Sequence, residues 1–356
     1  MRRLLKLVGW LAAIVLVVVL LLAAPIAYVE TACRGEPTDQ SFAATITEEE
    51  WTRNEAATWL TYPEWHIVYA YEEMAETLRT GDEHDFGYLR SIAGFWSSYC
   101  ALNEVADAHG GADGTTRAMI YTIGVSFTAE LALKALYEET LGRLAVAIRG
   151  PEKTPQDLLA LEVADDYARF LQQVPWYRYP FADAASRLAA TEGGGFRGAE
   201  RRFALGLEWW AKQAYARLIA QAVAAAGAAD LEIRAAASGL DAERLATIDG
   251  VEIVAETDGA IVFQAPRYRR FTEILTEIAE AGGTVDEIAG NDDILATVLV
   301  PAGSDAPAPA GRVLFGADRQ GFGDRRLLLA LKVADLAPLL AGADEAGLRV
   351  EHVYDY

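Results

Sequence analysis

From Leu7 to Val29 the chain runs for 23 residues without a charged side chain, directly after Arg2, Arg3 and Lys6. A helix of about 20 residues crosses the hydrocarbon core of a bilayer, so this segment is long enough to span one. The flanks set its direction. Basic residues precede it, whereas Glu30, Arg34, Glu36 and Asp39 follow. The positive-inside bias then places the N-terminus in the cytoplasm of an inner (cytoplasmic) membrane and the bulk of the chain outside. A cleaved signal peptide would want an apolar stretch of roughly 7–15 residues and an A-x-A-like site. Glu30-Thr31-Ala32 does not supply that site, so a retained single-pass anchor is the expectation.

Beyond the anchor, 356 residues leave room for two domains of ordinary size. The formal net charge of −21 argues against nucleic acid as a partner, because phosphates are held by clustered Lys and Arg. Cys33 and Cys100 are the two cysteines, too few for a disulfide framework or a Cys-rich metal site. They suit one bond in an oxidising compartment, but a polar stalk around Cys33 favours two unpaired thiols.

Residues 31–45 read as that stalk, with Gly35, Pro37 and Ser41 and no periodicity. From 46 to 228 amphipathic runs are separated by the breakers HGGADGTT, RGPEKTPQ, PWYRYPF and TEGGGFRG, which predicts an all-α domain. The segment 118–148 contains a charge-free stretch of 12 residues, Ala118 to Ala129, too short to span. It reads as a central buried helix with Glu130, Lys134 and Glu138 forming an i, i+4 ladder. Aromatic clusters such as Trp65/Tyr69/Tyr71 and Trp209/Trp210 suit a core, an apolar ligand pocket or a belt facing the membrane.

After residue 229 the period changes to two. VEIVAE and AIVFQA flank Asp258-Gly259, a hairpin signal. A helix with Phe271, Ile274, Leu275 and Ile278 on one face follows, then a Gly282-Gly283 stop and the strand ILATVLV. PAGSDAPAPAG, residues 301–311, reads as a flexible loop. RVLFG, RRLLLALKV, a helix around Leu336 to Leu340, and LRVEHVY complete the pattern. The order predicts a C-terminal α+β ferredoxin-like sandwich with extra strands over 229–356, separable from the helical domain.

TYPEWHIVYAYEEM, residues 61–74, is the densest cluster of candidate chemistry. Pro63 suits a first helical position, and Glu64 would then meet the positive helix end. At 100° per residue Glu64 and His66 diverge, so they do not chelate one ion from this helix. His84 and Asp85 sit in a polar turn, His109 marks a helix end before Gly110-Gly111, and His352 lies on a strand face with Val350 and Tyr354. Glu130 shares a side with Leu133, Tyr137 and Leu144, which is costly unless it is paired. No histidine pair has a metal-ligand spacing, and no nucleophile elbow, phosphate loop or C-x-x-C motif is present, so neither metal nor cofactor is expected.

Around TYPEWHIVYAYEEMA, DFGYLRSIAGFWSSYC and IGVSFTAELALKALYEETLGRL the chain resembles a set of bacterial membrane-anchored proteins of unknown function. That resemblance covers roughly residues 30 to 225 and implies a discrete domain without assigning catalytic residues. The leading expectation is a membrane-anchored extracytoplasmic binding or scaffold protein that takes a protein or a small apolar ligand. The alternative is a tethered hydrolase in which Glu64, His66, His84, Asp85 and Glu130 converge from different helices.

Overall fold

The computed structural model describes residues 2–38, 42–226, 231–257, 259–303 and 311–355. Helix α1 (Arg2–Ala32) carries the apolar run, with Leu11, Val15 and Leu20 all exposed. It joins the fold only at its end, where Val29 and the following Cys33 are completely buried. The expected free stalk is absent among the described residues. Cys33 is bonded to Cys100, Asn103 donates its side-chain amide to Cys33 O at 2.6 Å, and Thr38 N reaches Ala108 O at 3.1 Å. The two cysteines are therefore paired, because residues 33–38 run against the helix that carries Cys100. Farther on, the Glu287 carboxylate accepts from Thr45 N and Ile46 N at 2.6 and 2.8 Å, fastening this stretch to a sheet.

Helix α2 (Ala56–Thr80) is the axis of the helical part. It starts seven residues before Pro63, with the Asn54 side chain accepting from Ala56 N at 2.8 Å. Pro63 is thus interior, and Glu64 does not meet a helix N-terminus. Trp59, Tyr62, Trp65, Tyr69, Tyr71 and Met74 line its buried sides, which explains the aromatic density of this stretch. Around it pack α3 (Tyr88–Ala108), α4 (Gly114–Tyr137), α5 (Arg143–Arg149), α6 (Pro155–Leu171), α7 (Phe181–Ala190) and α8 (Gly195–Ala226). The breakers act as caps: Asp113 accepts from Thr115 N and Thr116 N, and Thr154 and Asp157 form a capping box with Pro155 at the first turn.

Helices α4 and α5 form one continuous rod through a π-turn at Glu138–Gly142. This rod is not central. In its most apolar stretch only 22% of residues are buried, and Leu133, Leu136, Leu144 and Ile148 are exposed.

The C-terminal part holds two four-stranded antiparallel sheets. The first comprises β1 (Glu232–Ser238), β2 (Glu252–Thr257), β3 (Ala260–Pro266) and β4 (Thr284–Ile288), with α9 (Ala242–Leu245) after β1 and α10 (Arg269–Glu280) after β3. The second comprises β5 (Asp293–Pro301), β6 (Arg312–Asp318), β7 (Asp324–Lys332) and β8 (Arg349–Tyr354), with α11 (Leu336–Gly342) before β8. Both follow one spatial order, second-third-first-fourth. Asp258 and residues 304–310, parts of the expected turn and loop, lie outside the described residues.

The change of period near residue 229 brings a second core, built by the sheets and their helices around Phe263, Phe271, Ile274 and Leu329, and the two parts also meet. Leu295, Leu328 and Tyr354 belong to the same apolar cluster as the helical residues, and Thr58 Oγ1 donates to Tyr354 O at 3.0 Å. On β7, Leu329 and Leu331 face the core between the sheets, while Arg326 turns to the helices. There it meets Glu73 at 3.1 Å, pairs with Glu351 and lies 3.7 Å over the Tyr69 ring.

Candidate functional site

The five side chains expected to carry chemistry do not converge. Glu64 is exposed on α2. His66 packs edge-on against Phe95 and Phe127, and its Nε2–H donates to Ser91 O at 2.9 Å. Burial depresses its pKa to about 4, so it is neutral at physiological pH. His84 and Asp85 lie 3.8 Å apart, and the Asp85 carboxylate accepts from Asp82 N at 2.9 Å as a cap of its own turn. Glu130 accepts from Tyr71 OH at 2.6 Å and pairs with Lys212 at 2.9 Å. The hydrolase alternative gains no support from this placement.

Glu130 instead belongs to an ionic seam between α4 and α8. Lys134 reaches Glu208 at 2.9 Å, Lys212 reaches Glu208 at 3.1 Å, and Tyr137 OH donates to Glu200 at 2.5 Å. Next along the seam, Arg201 holds Glu138 at 3.0 Å, Glu83 at 3.1 Å and Glu200 at 2.5 Å, and Arg197 holds Glu83 at 2.6 Å and Asp157 at 2.8 Å. Both guanidiniums are essentially fully buried. The expected ladder along α4 is thereby replaced by bonds across helices. The π-turn contributes directly: a side chain at Gly142 would collide with the Glu138 carboxylate, so glycine leaves the room that carboxylate fills.

A cavity of about 60 Å³ lies inside this seam, lined by Tyr71, Tyr88, Lys134, Glu138, Glu208 and Lys212. Desolvation opposes the charge on Glu208, but Lys134 and Lys212 outweigh it and hold the carboxyl at about 2. Glu138 in the same lining is pushed the other way, up to about 7, by burial that outweighs Arg201. The seam cross-links the helices.

Above the seam lies the outward face of the same two helices. On α8, Phe196, Phe203, Leu207, Trp210 and Leu218 recur at helical spacing and are exposed, Trp210 by 68%. On the neighbouring rod, Leu133, Leu136, Leu144 and Ile148 do the same. Both helices bury their opposite sides, so each presents an apolar stripe outward. Large exposed apolar patches mark interaction surfaces. A groove of about 210 Å³ between α7 and α8 adjoins it, lined by Ala182, Ala185, Ala189, Trp210 and Arg217.

Sequence reading missed the buried arginines and the exposed face. Arg197 and Arg201 precede Leu205 and Trp209 at steps of four, which is a legible signal that they extend an apolar stripe inward. No protein-family model, curated protein or solved structure matches this chain.

Proposed function

We propose that this chain is a single-pass, membrane-anchored binding protein with its N-terminus in the cytoplasm and its folded part outside, and that its helical part works against the bilayer through the outward face of α4, α5 and α8. The observation that carries this reading is the apolar face itself, on a chain that brings its own membrane helix. Glu30, at the end of α1, pairs with Arg117 at 3.6 Å and accepts from Tyr121, so the anchor is bonded to the first turns of α4. Trp210 and Tyr215 suit the headgroup zone, where rings with a polar edge are favoured, and Phe196 and Phe203 suit the apolar side beneath it. The Cys33–Cys100 bond supports an oxidising, extracytoplasmic side.

We read the two C-terminal sheets as tandem ferredoxin-like modules, on the strength of their common strand order and the helices α10 and α11 before each last strand. They form the second interaction surface of the scaffold.

The test exploits the disulfide, because an introduced cysteine would be the one free thiol among the described residues. Spin labels at Leu136→Cys and Leu207→Cys in full-length protein reconstituted into bilayers would collide readily with oxygen and poorly with a water-soluble nickel chelate. Strong nickel collisions would mean a face in water. Weak collisions with both probes, with dipolar broadening, would mean a second copy packed there, and either result defeats the proposal.

A further inference from the structure

Three side chains from three distant parts of the chain converge where the helical part meets the second sheet. Glu55 stands at the N-terminal end of α2, His109 caps the C-terminal end of α3, and Asp293 opens β5. One ligand atom from each lies within 4.8 Å of the other two. All three are partly buried, and none belongs to the seam or to the outward face.

The imidazole is oriented as a metal requires. His109 Nδ1–H donates to Val105 O at 2.7 Å, which turns Nε2 toward the carboxylates. Metal-bound histidines usually donate their second ring nitrogen to a carbonyl or carboxylate in this way. Trp59 packs 5.2 Å from the ring and fixes its plane. Gly110 and Gly111, both with positive φ, turn the chain directly after His109.

Spacing and charge agree with that reading. His109 Nε2 and Asp293 Oδ2 are 3.5 Å apart. Ligands about 2.1 Å from a tetrahedral ion are separated by about 3.4 Å. Asp292 lies next to the cluster, and Lys332 bridges Asp292 and Asp293 at 2.9 and 2.7 Å. Burial pushes the Glu55 carboxyl up to about 7, so the cluster carries protons that a bound divalent cation would displace. Lys332 is half exposed, so its ammonium can stay on Asp292 while an ion takes Asp293.

We infer that Glu55, His109 and Asp293 form a site for a divalent transition-metal ion. One nitrogen and two oxygens suit zinc-like ions, with the fourth tetrahedral position left to water. Such an ion clamps α2, α3 and β5 together, joining helices to sheet.

Full-length protein in detergent, stripped with a chelator, would be titrated with cobalt(II) and then with zinc. One equivalent of cobalt should produce the visible absorption bands of a four-coordinate ion, zinc should abolish them, and zinc should raise the melting temperature. His109→Gln and Glu55→Gln should each weaken binding by at least about tenfold. Glu55→Gln keeps the His109–Asp293 pair, so it serves as the variant that folds without the ion. A single-equivalent signal that both variants leave unchanged, or no saturable signal in the wild type, would overturn the inference and leave a plain histidine–aspartate ion pair.

Discussion

Arg201 shows how far a single side chain departs from its average behaviour. Arginine is almost never fully buried unless paired, and this one is completely buried among Glu83, Glu138 and Glu200. Removing one member of such a network strands the others, so Arg201→Met is expected to cost about 3–5 kcal/mol in chemical denaturation of the detergent-solubilised protein. An effect below about 1 kcal/mol would mean that water already solvates these carboxylates. The histidines make a second prediction. Burial against Trp65, 4.0 Å between ring centres, holds the His352 pKa down to about 3, against an ordinary value of 6.5. The folded state therefore excludes a proton that the unfolded chain binds below pH 6.5. Its stabilising share is complete above that pH and is lost as pH falls towards 3, at up to about 1.4 kcal/mol per unit. The stability advantage of wild type over His352→Gln should shrink between pH 7.5 and pH 5. An advantage constant with pH would show that His352 is solvated in the folded protein. None of these roles is visible residue by residue, because pairing partners lie tens to hundreds of positions away.

At the scale of elements, local rules placed most helices and misplaced some of their ends. Pro63 suits a first turn, yet α2 begins earlier, because the aromatic and apolar residues from Ala56 onward find a core to bury in. Strands β1 and β4 escaped notice for opposite reasons. IRAAAS is alanine-rich and poor in β-formers, and TVDEI is short and acidic. Both form because neighbouring strands pair with them. The 33–38 segment has the composition of a linker, and its order comes from the Cys33–Cys100 bond and its contacts with α3. Unreduced protein should run faster on a denaturing gel than reduced protein, and Cys100→Ser should cost about 2–4 kcal/mol. Identical mobility with and without reductant would show that the bond does not form.

Across the whole molecule, the sheet part has a core of its own and also packs Leu328 and Tyr354 among the helices, with Arg326 buried between Glu73 and Glu351. Residues 229–356 expressed alone would expose that face and leave Arg326 without its Glu73 partner. The fragment is therefore expected to aggregate or to unfold without a cooperative transition, although its length suits an independent domain. A sharp calorimetric transition from a soluble monomer would instead establish the sheets as a self-sufficient unit.

By itself the sequence determined those features that depend on neighbours along the chain: a membrane-length apolar helix, the caps and glycine stops of the helical part, and the switch to alternating strands. The tertiary structure decided which apolar stripes are covered. Leu133 and Leu136 on α4 and Phe203 and Trp210 on α8 have the spacing of a buried face, and they stay exposed because the ionic seam turns the opposite sides of both helices inward. Hydrophobic periodicity reports that a face exists. Only the packing of distant partners, here Arg197, Arg201 and Lys212 against Glu83, Glu130 and Glu138, selects the side that meets the core.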